Sequence, residues 1–84
     1  MLTGIQSAAA RALLRWKQSD LSDAITAAGG KLSVTAITAF ERGGAIRESN
    51  AAAIQAALEK AGVVFVQAGD TANGAGVTLD REHA

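Results

Sequence analysis

The sequence predicts a single, mainly α-helical domain that ends in a β-hairpin. Four segments carry apolar residues at helical spacing, and glycines or a polar Gly-containing loop follow the last three. After Gly62 the pattern changes to a β-branched apolar run, a Gly/Asn/Asp turn region and a second, alternating run. The 84 residues suffice for one domain with a small core. Dimerisation is a common way to stabilise a core of this size.

The first helix begins at Thr3, because Thr3 and Gln6 have the spacing of a capping box. The apolar face of this helix consists of residues at helical intervals: Ile5, Ala9, Ala12, Leu13 and Trp16. We expect this face to pack into the core, with Trp16 at its end.

The second and third helices lie on either side of two glycines. Leu21, Ala24, Ile25 and Ala28 form one face of a helix over residues 18–28, which Gly29 and Gly30 end. Ser33 can cap the third helix. Its Val, Thr and Ile content also suits a strand, but Val34, Ile37 and Phe40 recur every three residues, which favours a helix.

A fourth helix follows the loop "ERGGAIRESN", with Ser49 or Asn50 as its cap and Gly62 as its end. Its apolar stripe is Ile54, Ala57, Leu58 and Ala61. With the residues above, Ile54 and Leu58 complete the predicted core: Ile5, Leu13, Trp16, Leu21, Ile25, Ile37, Phe40, Ile54 and Leu58.

The C-terminal runs "VVFVQ" (63–67) and "VTLD" (77–80) predict a β-hairpin. An isolated hairpin is marginally stable and its free edge invites pairing. We therefore expect two copies to form a two-fold dimer through this sheet. The predicted dimer residues are Val64, Val66, Val77 and Leu79. Residues 1–62 are then a helical domain, 63–80 the dimerisation hairpin and 81–84 a mobile tail.

Formal net charge is zero, but the charges are unevenly distributed. Residues 1–47 carry six basic and three acidic side chains, whereas residues 48–84 carry two and five. This asymmetry is typical of a small nucleic-acid-binding protein with a separate partner face. Ordinary scatter of the charges is the alternative.

Little in the sequence points to catalysis. There is no cysteine, the single His83 has no second ligand beside it, and no nucleophile is paired with a base. The segment "GDTANGAG" lacks the Lys-Ser/Thr ending of a phosphate-binding loop. We expect no enzyme activity, no metal and no cofactor. No export signal follows Met1 and no apolar run could span a bilayer, so we expect a cytoplasmic protein without membrane contact.

Three segments resemble, in order, the Cro/CI-type (XRE-family, lambda-repressor-like) helix-turn-helix proteins. "AARALLRWKQSDLSDA" is similar to the opening of that family, and "AITAFERG" is similar to the end of its third helix. "NAAAIQAALEKAGVVFV", followed by "GVTL", resembles a compact bacterial subgroup with a strand after the fourth helix. The resemblance implies a four-to-five-helix lambda-repressor-like helix-turn-helix domain with a C-terminal β-hairpin.

In that family the third helix enters the major groove of DNA and a Gln that opens the second helix makes a nearby contact. Carried over to this chain, the resemblance implies these DNA-binding residues: Lys17, Gln18, Ser33, Val34, Thr35, Thr38, Arg42 and Arg47. Arg42 and Arg47 would contact phosphates, and hydroxyl and methyl groups would face the bases. Lys17 replaces the usual capping Ser and adds a positive charge.

Two departures from the family pattern bear on function. About five extra residues around "TAAGG" either lengthen the second helix by about a turn or enlarge the turn that follows it. The segment "VTAITAF" contains none of the Arg, Lys or Gln residues that read guanine and adenine. Readout would depend on hydroxyl and methyl groups, Gln18 and DNA shape.

The sequence therefore predicts a dimeric, sequence-specific transcriptional regulator, a repressor that binds a palindromic operator in double-stranded DNA without a small-molecule effector. One alternative is an antiactivator or antirepressor that has lost DNA binding and contacts another regulatory protein. The other alternative is an antitoxin-like partner of a co-encoded protein.

Overall fold

The computed structural model describes residues 2–65 in full and the backbone of residues 66 and 76–79. The predicted turn between the strands, the predicted tail 81–84 and His83 lie outside the described residues. The described elements are α1 (Gly4–Leu14), α2 (Gln18–Ala27), α3 (Val34–Glu41), α4 (Glu48–Lys60), β1 (Val63–Val66) and β2 (Gly76–Leu79). The prediction of a mainly helical domain is confirmed.

The helix starts follow the predicted capping chemistry in two cases. Thr3 Oγ1 accepts from the Gln6 N–H at 3.1 Å, and Gln6 Oε1 accepts from the Thr3 N–H at 3.0 Å. Ser33 Oγ accepts from the Ala36 N–H at 3.1 Å and starts α3. Helix α4 begins earlier than predicted, with Arg47 as its N-cap. Glu48 then lies in the first turn, where a negative charge is favourable.

Glycines end α2 as predicted. Gly29 has φ +92°, its N–H donates to the Thr26 carbonyl at 3.0 Å, and the Gly30 N–H donates to the Ile25 carbonyl at 3.0 Å. These two bonds form a Schellman motif, which needs a left-handed residue at the position of Gly29. Gly62 ends α4, also as predicted.

Helix α1 ends differently, at a residue whose backbone conformation is sterically unfavourable. Arg15 has φ +57° and ψ +36°, the left-handed helical region. Its N–H donates to the Ala12 carbonyl, and the Trp16 N–H donates to the Arg11 carbonyl at 2.8 Å. A non-glycine residue in this conformation costs about 1–2 kcal/mol.

The core lies between the four helices. Seven of the nine predicted core residues are part of it. Six of them are buried: Leu21, Ile25, Ile37, Phe40, Ile54 and Leu58. The seventh, Trp16, is partly buried and packs against them. Leu2, Ala10, Leu32, Ala57 and Val63 complete the cluster.

The predicted orientation of α1 is wrong. Ile5 is 81% exposed and Leu13 is 43% exposed, whereas Gln6, Ser7 and Ala10 are buried. The polar pair can face inward because every polar side-chain atom buried in the described part of the chain has a hydrogen-bond partner. Gln6 belongs to the N-terminal capping box, and Ser7 binds a residue of α3.

Strands β1 and β2 pair in antiparallel fashion, and the pair lies between α4 and α1. Val63 is buried and Val64 is 49% exposed. Val63 pairs with Leu79, Val64 with Thr78 and Phe65 with Val77. Because directly paired residues share a face, the four residues of the predicted dimer contact divide between the two faces: Val64 and Val66 on one, Val77 and Leu79 on the other.

The described helices also bear on membrane and metal binding. None of them combines the length and the hydropathy needed to cross a membrane. No three His, Asp or Glu side chains of the described residues lie together as a metal site.

Candidate nucleic-acid interface

Helix α3 turns Ile37 and Phe40 into the core and presents the opposite side to solvent. Most of the residues that the family resemblance assigns to the groove lie on that outer side. Ser33, Val34 and Thr35 are exposed and Thr38 is partly exposed. Ala39, one turn after Thr35, is exposed on the same side and was not predicted. Its i, i+4 relation to Thr35 was a signal available in the sequence.

Gln18, the first residue of α2, is bound to α3 through both ends of its amide. Thr38 Oγ1 donates to Gln18 Oε1 at 2.6 Å, and Gln18 Nε2 donates to Glu41 Oε1 at 3.1 Å. These bonds fix the start of α2 against the outer edge of α3. One N–H and one lone pair of the amide remain for a further partner.

The three hydroxyl groups of the α3 region differ in what they can still bind. The Thr38 hydroxyl lies within donating distance of both Gln18 Oε1 and the Val34 carbonyl, at 2.6 and 2.9 Å, so its single hydrogen is engaged. The Ser33 hydroxyl accepts from Ala36 and keeps its hydrogen. Thr35 has no hydrogen bond among the described residues and can both donate and accept. Thr35 is therefore the most versatile polar group on this surface.

Glu41, the last residue of α3, joins three helices. Its carboxylate accepts from Ser7 Oγ at 2.7 Å, from Arg11 Nε at 2.9 Å, from a second guanidinium N–H of Arg11, and from Gln18. Arg11 also donates to the Trp16 carbonyl at 3.0 Å. Neither Arg11 nor Glu41 was predicted as a site residue. A carboxylate at a helix C-terminus is unfavourable for the helix dipole, and that was the only sequence signal that Glu41 needs a partner.

The surroundings of Glu41 keep it ionised. Its side chain is 5% exposed. Burial by itself would raise the pKa of Glu41, but the hydrogen bonds from Arg11, Ser7 and Gln18 and the charge of Arg11 outweigh burial, and the pKa lies below its ordinary value. The hydrogen bond to Glu41 raises the pKa of Arg11, against the opposing effect of its burial. The pair is a fixed, charged structural contact.

Most basic side chains of the first half of the chain face solvent. Arg11 is the exception, because it forms an ion pair with Glu41. The exposed ones are Arg15, Lys17, Lys31, Arg42 and Arg47. Among these, Lys17 precedes α2, Lys31 precedes α3, Arg42 follows α3 and Arg47 precedes α4. Lys17, Arg42 and Arg47, which were predicted to contact DNA, and Lys31 therefore lie at the ends of α2, α3 and α4.

Helix α2 also carries two exposed acidic residues. They are Asp20 and Asp23. Asp20 lies in the first turn and accepts from the Lys17 N–H at 2.7 Å. This bond is the half of a capping box in which the third helical residue accepts from the N–H of the N-cap residue.

The connection between α2 and α3 is long. Helix α2 ends at Ala27 and α3 begins at Val34, so residues 28–33 join them, compared with about 3–4 residues in a typical helix-turn-helix. The connection is anchored: Leu32 is buried and its carbonyl accepts from Ser22 Oγ at 2.6 Å. The connection is thus long and fixed to α2, and α2 itself has ten residues.

A second surface feature, which the sequence did not predict, is an apolar groove of about 570 Å³ between α2 and α4. Among the described residues it is lined mainly by alanines, including Ala24, Ala28, Ala53 and Ala57. Trp16 also lines it, and Lys60 is the only charged residue among these described lining residues. The groove lies along helices other than α3.

Comparisons of this chain with models of protein families, with curated proteins and with solved structures find no match.

Proposed function

We propose that this protein is a DNA-binding transcriptional regulator that places the outer side of α3 in the major groove. The observation that carries the proposal is the network Thr38–Gln18–Glu41, which holds the start of α2 against α3. With this network in place, Val34 and Thr35 remain uncovered at the start of α3. An exposed helix braced by a second helix at its edge is the arrangement that helix-turn-helix proteins use for major-groove contact.

Recognition by this surface uses small groups. The Thr35 hydroxyl can bond to a base edge as donor or acceptor, and the Ser33 hydroxyl can donate. The methyl groups of Val34 and Ala39 can contact thymine methyls. Bidentate pairs with guanine or adenine, worth about 1–3 kcal/mol each, have no side chain on α3 to make them. Specificity then depends on several weak contacts and on DNA shape.

Affinity in this proposal comes from the cations around α3. Lys17, Lys31, Arg42 and Arg47 are exposed at helix ends. Each phosphate that a cation neutralises releases counterions and makes binding salt-dependent. The internal pairing of Glu41 with Arg11 removes the acid of α3 from this surface.

Because one copy offers a modest contact set, we propose that the regulator binds as a homodimer to a palindromic operator and represses by occluding a promoter. Two α3 helices would then occupy half-sites about one helical turn apart. In this proposal the strand pair contributes a contact through the face that carries Val64 and Val66. Val77 and Leu79, predicted for the same contact, lie on the other face.

Selection from a library of random DNA duplexes tests the proposal. The expected result is enrichment of a two-fold symmetric sequence with half-site centres about 10 base pairs apart. The Thr35→Ala variant should alter the enriched sequence at one position in each half-site. The Thr26→Ala variant, which changes an exposed threonine on α2, serves as the control and should enrich the same sequence as the native protein. Absence of any enriched sequence would refute DNA reading.

The apolar groove between α2 and α4 favours a second candidate function, the binding of another regulatory protein. A groove lined by alanines and an indole suits the apolar face of a partner helix, as an antirepressor or an antitoxin-like protein would require. The Ala53→Leu substitution would fill part of the groove. This variant should lose the partner and keep DNA binding if both functions exist.

A further inference from the structure

The outer face of α1 is apolar although solvent surrounds it. We define this face as Ile5, Ala8, Ala9, Ala12 and Leu13. Ile5, Ala12 and Leu13 are exposed, and Ala8 and Ala9 are partly exposed. The only charged residue of α1 is Arg11, which is directed to Glu41 on the inner side. The outer face therefore carries no charge.

This pattern is unusual for a helix on a protein surface. A surface helix usually turns its apolar side toward the core and its polar side toward water. In α1 the polar Gln6 and Ser7 are buried, whereas the apolar Ile5 and Leu13 are exposed. The inner side of α1 is already covered, since Ser7 and Ala10 are fully buried. The outer face is thus the part of α1 that lacks a covering partner among the described residues.

We propose that the outer face of α1 binds the same face of a second copy of this chain. The inference rests on the proposed function, because it identifies the contact surface of the dimer that palindrome binding requires. The spacing of the two large side chains suits a two-fold contact. Ile5 and Leu13 lie four residues before and after Ala9, so an antiparallel crossing at Ala9 puts Ile5 opposite the partner subunit's Leu13. The reciprocal pair forms by symmetry.

Two further observations favour a second copy as the occupant. An uncharged face can meet itself without bringing like charges together, which a charged face cannot. The face is also continuous with the strand pair, because β2 packs against α1 and Val64 is exposed on β1. The small side chains of Ala8, Ala9 and Ala12 would let the two helices approach closely.

The proposed contact uses the side of α1 that is turned away from the Glu41 carboxylate. The opposite side of α1 holds α3, through the bonds of Ser7 and Arg11 to Glu41. At the start of α1 the outer face comes near the C-terminal end of α3, because Ile5 and Arg42 line the same pocket.

Sedimentation equilibrium of the full chain tests the inference. The native protein should have twice the chain mass of 8.5 kDa. The variants Ile5→Lys and Leu13→Glu should each be monomeric, with dimerisation weakened at least about 30-fold. Val34→Glu is the matched control, because Val34 on α3 is 40% exposed and Leu13 is 43% exposed. This control should remain dimeric.

Mixing the two α1 variants separates loss of contact from loss of folding. In the mixture, one crossing pair is Lys opposite Glu and the other is native Ile5 opposite the partner's Leu13, so the mixture should form dimers again. A mixture that stays monomeric, or a native protein that is monomeric, overturns the inference. Variants that stay dimeric alone overturn it as well.

The outcome can be separated from that of the proposed function. A monomeric native protein that still prefers one DNA sequence refutes the α1 contact and leaves DNA reading in place. A native dimer that Ile5→Lys and Leu13→Glu dissociate, but that has no DNA preference, supports the contact and refutes the proposed function.

Discussion

Arg11 Nε lies 2.9 Å from Glu41 Oε2 and joins the middle of α1 to the last residue of α3. The same carboxylate accepts from Ser7 and from Gln18, which in turn accepts from Thr38. The contact is therefore the centre of a network that sets the position of α3 relative to α1 and α2. Any change at Glu41 should affect both stability and the presentation of α3.

Replacing Glu41 by Gln should destabilise the protein by about 2–4 kcal/mol, because Arg11 is left without its charged partner in a partly buried position. Urea denaturation followed by circular dichroism measures the change. Glu59→Gln is the control: Glu59 is exposed on α4 and accepts only a 3.4 Å bond from Gln55. This control should lie within about 0.5 kcal/mol of the native protein. Equal stability of the two variants would contradict the role of the network.

The same substitution should change the pH dependence of stability. The pKa of Glu41 is lower in the folded protein than its ordinary value of 4.5. Its stabilising effect is therefore complete above that value and is lost as pH falls through the lower, folded pKa. Arg11 does not contribute in this range, because the pKa of its strongly basic guanidinium is raised further. Between pH 5 and pH 2 the free energy of unfolding should fall less steeply in Glu41→Gln than in the native protein. Parallel curves would contradict this assignment.

Arg15→Gly should stabilise the protein by about 1 kcal/mol, since Arg15 ends α1 in the left-handed region. Thermal denaturation measures the effect. Arg15→Ala removes the same charge but keeps the steric cost, so it should show no gain. If both variants gained equally, charge rather than backbone conformation would be the cause.

Arg42→Ala should weaken binding to all duplexes alike and reduce the salt slope by about 1. The reason is that Arg42 is an exposed cation at the end of α3 and, in the proposed function, contacts a phosphate. Fluorescence anisotropy titrations at several salt concentrations give the slope. Lys60→Ala, at the far end of α4, is the control and should leave the slope unchanged. Loss of preference for one sequence after Arg42→Ala would be inconsistent with a phosphate contact.

Thr35→Ala and Thr38→Ala should differ in their effects. Thr35 has no hydrogen bond among the described residues, so its loss should change base preference and leave stability within about 0.5 kcal/mol. Thr38 positions Gln18, so its loss should also cost about 1 kcal/mol of stability. Thr26→Ala is the control for Thr38, because both hydroxyls donate to the carbonyl four residues earlier. If Thr26→Ala lost as much stability as Thr38→Ala, the Thr38–Gln18 bond would not account for the effect of Thr38→Ala.

Val64→Asp tests the strand part of the proposed dimer. Val64 is half exposed on β1, and a carboxylate there would be buried without a partner if two strand pairs meet at this face. We expect a monomer in sedimentation equilibrium, with the helical circular dichroism signal retained. A dimer of native affinity would exclude Val64 from the interface.

The sequence predicted the features that depend on near neighbours. The Thr3–Gln6 capping box, the Ser33 cap and the Gly29–Gly30 helix end are each determined within a few residues. The position of α1 could not be predicted in this way. Its apolar residues suggested that Ile5 and Leu13 face the core, but the bond of Ser7 to Glu41, 34 residues away, goes with the opposite orientation.

The candidate site also combines features that the sequence predicted with features that it did not. The family resemblance assigned Gln18 and Thr38 individually to DNA contact, and helical periodicity gave the exposed side of α3. The Gln18–Thr38 bond joins residues 20 positions apart, and the Gln18–Glu41 bond joins residues 23 positions apart. Such contacts depend on how α2 packs on α3, which periodicity within one helix does not determine.

Fluorescence anisotropy of the purified protein with the DNA upstream of its own gene tests the central proposal most directly. A scrambled duplex of the same composition is the control, and both are titrated at two salt concentrations. The proposed function predicts tight binding to the native fragment alone, with affinity that falls as salt rises. Equal affinity for the two duplexes at micromolar protein would contradict sequence reading by α3 and would favour the protein-binding alternative.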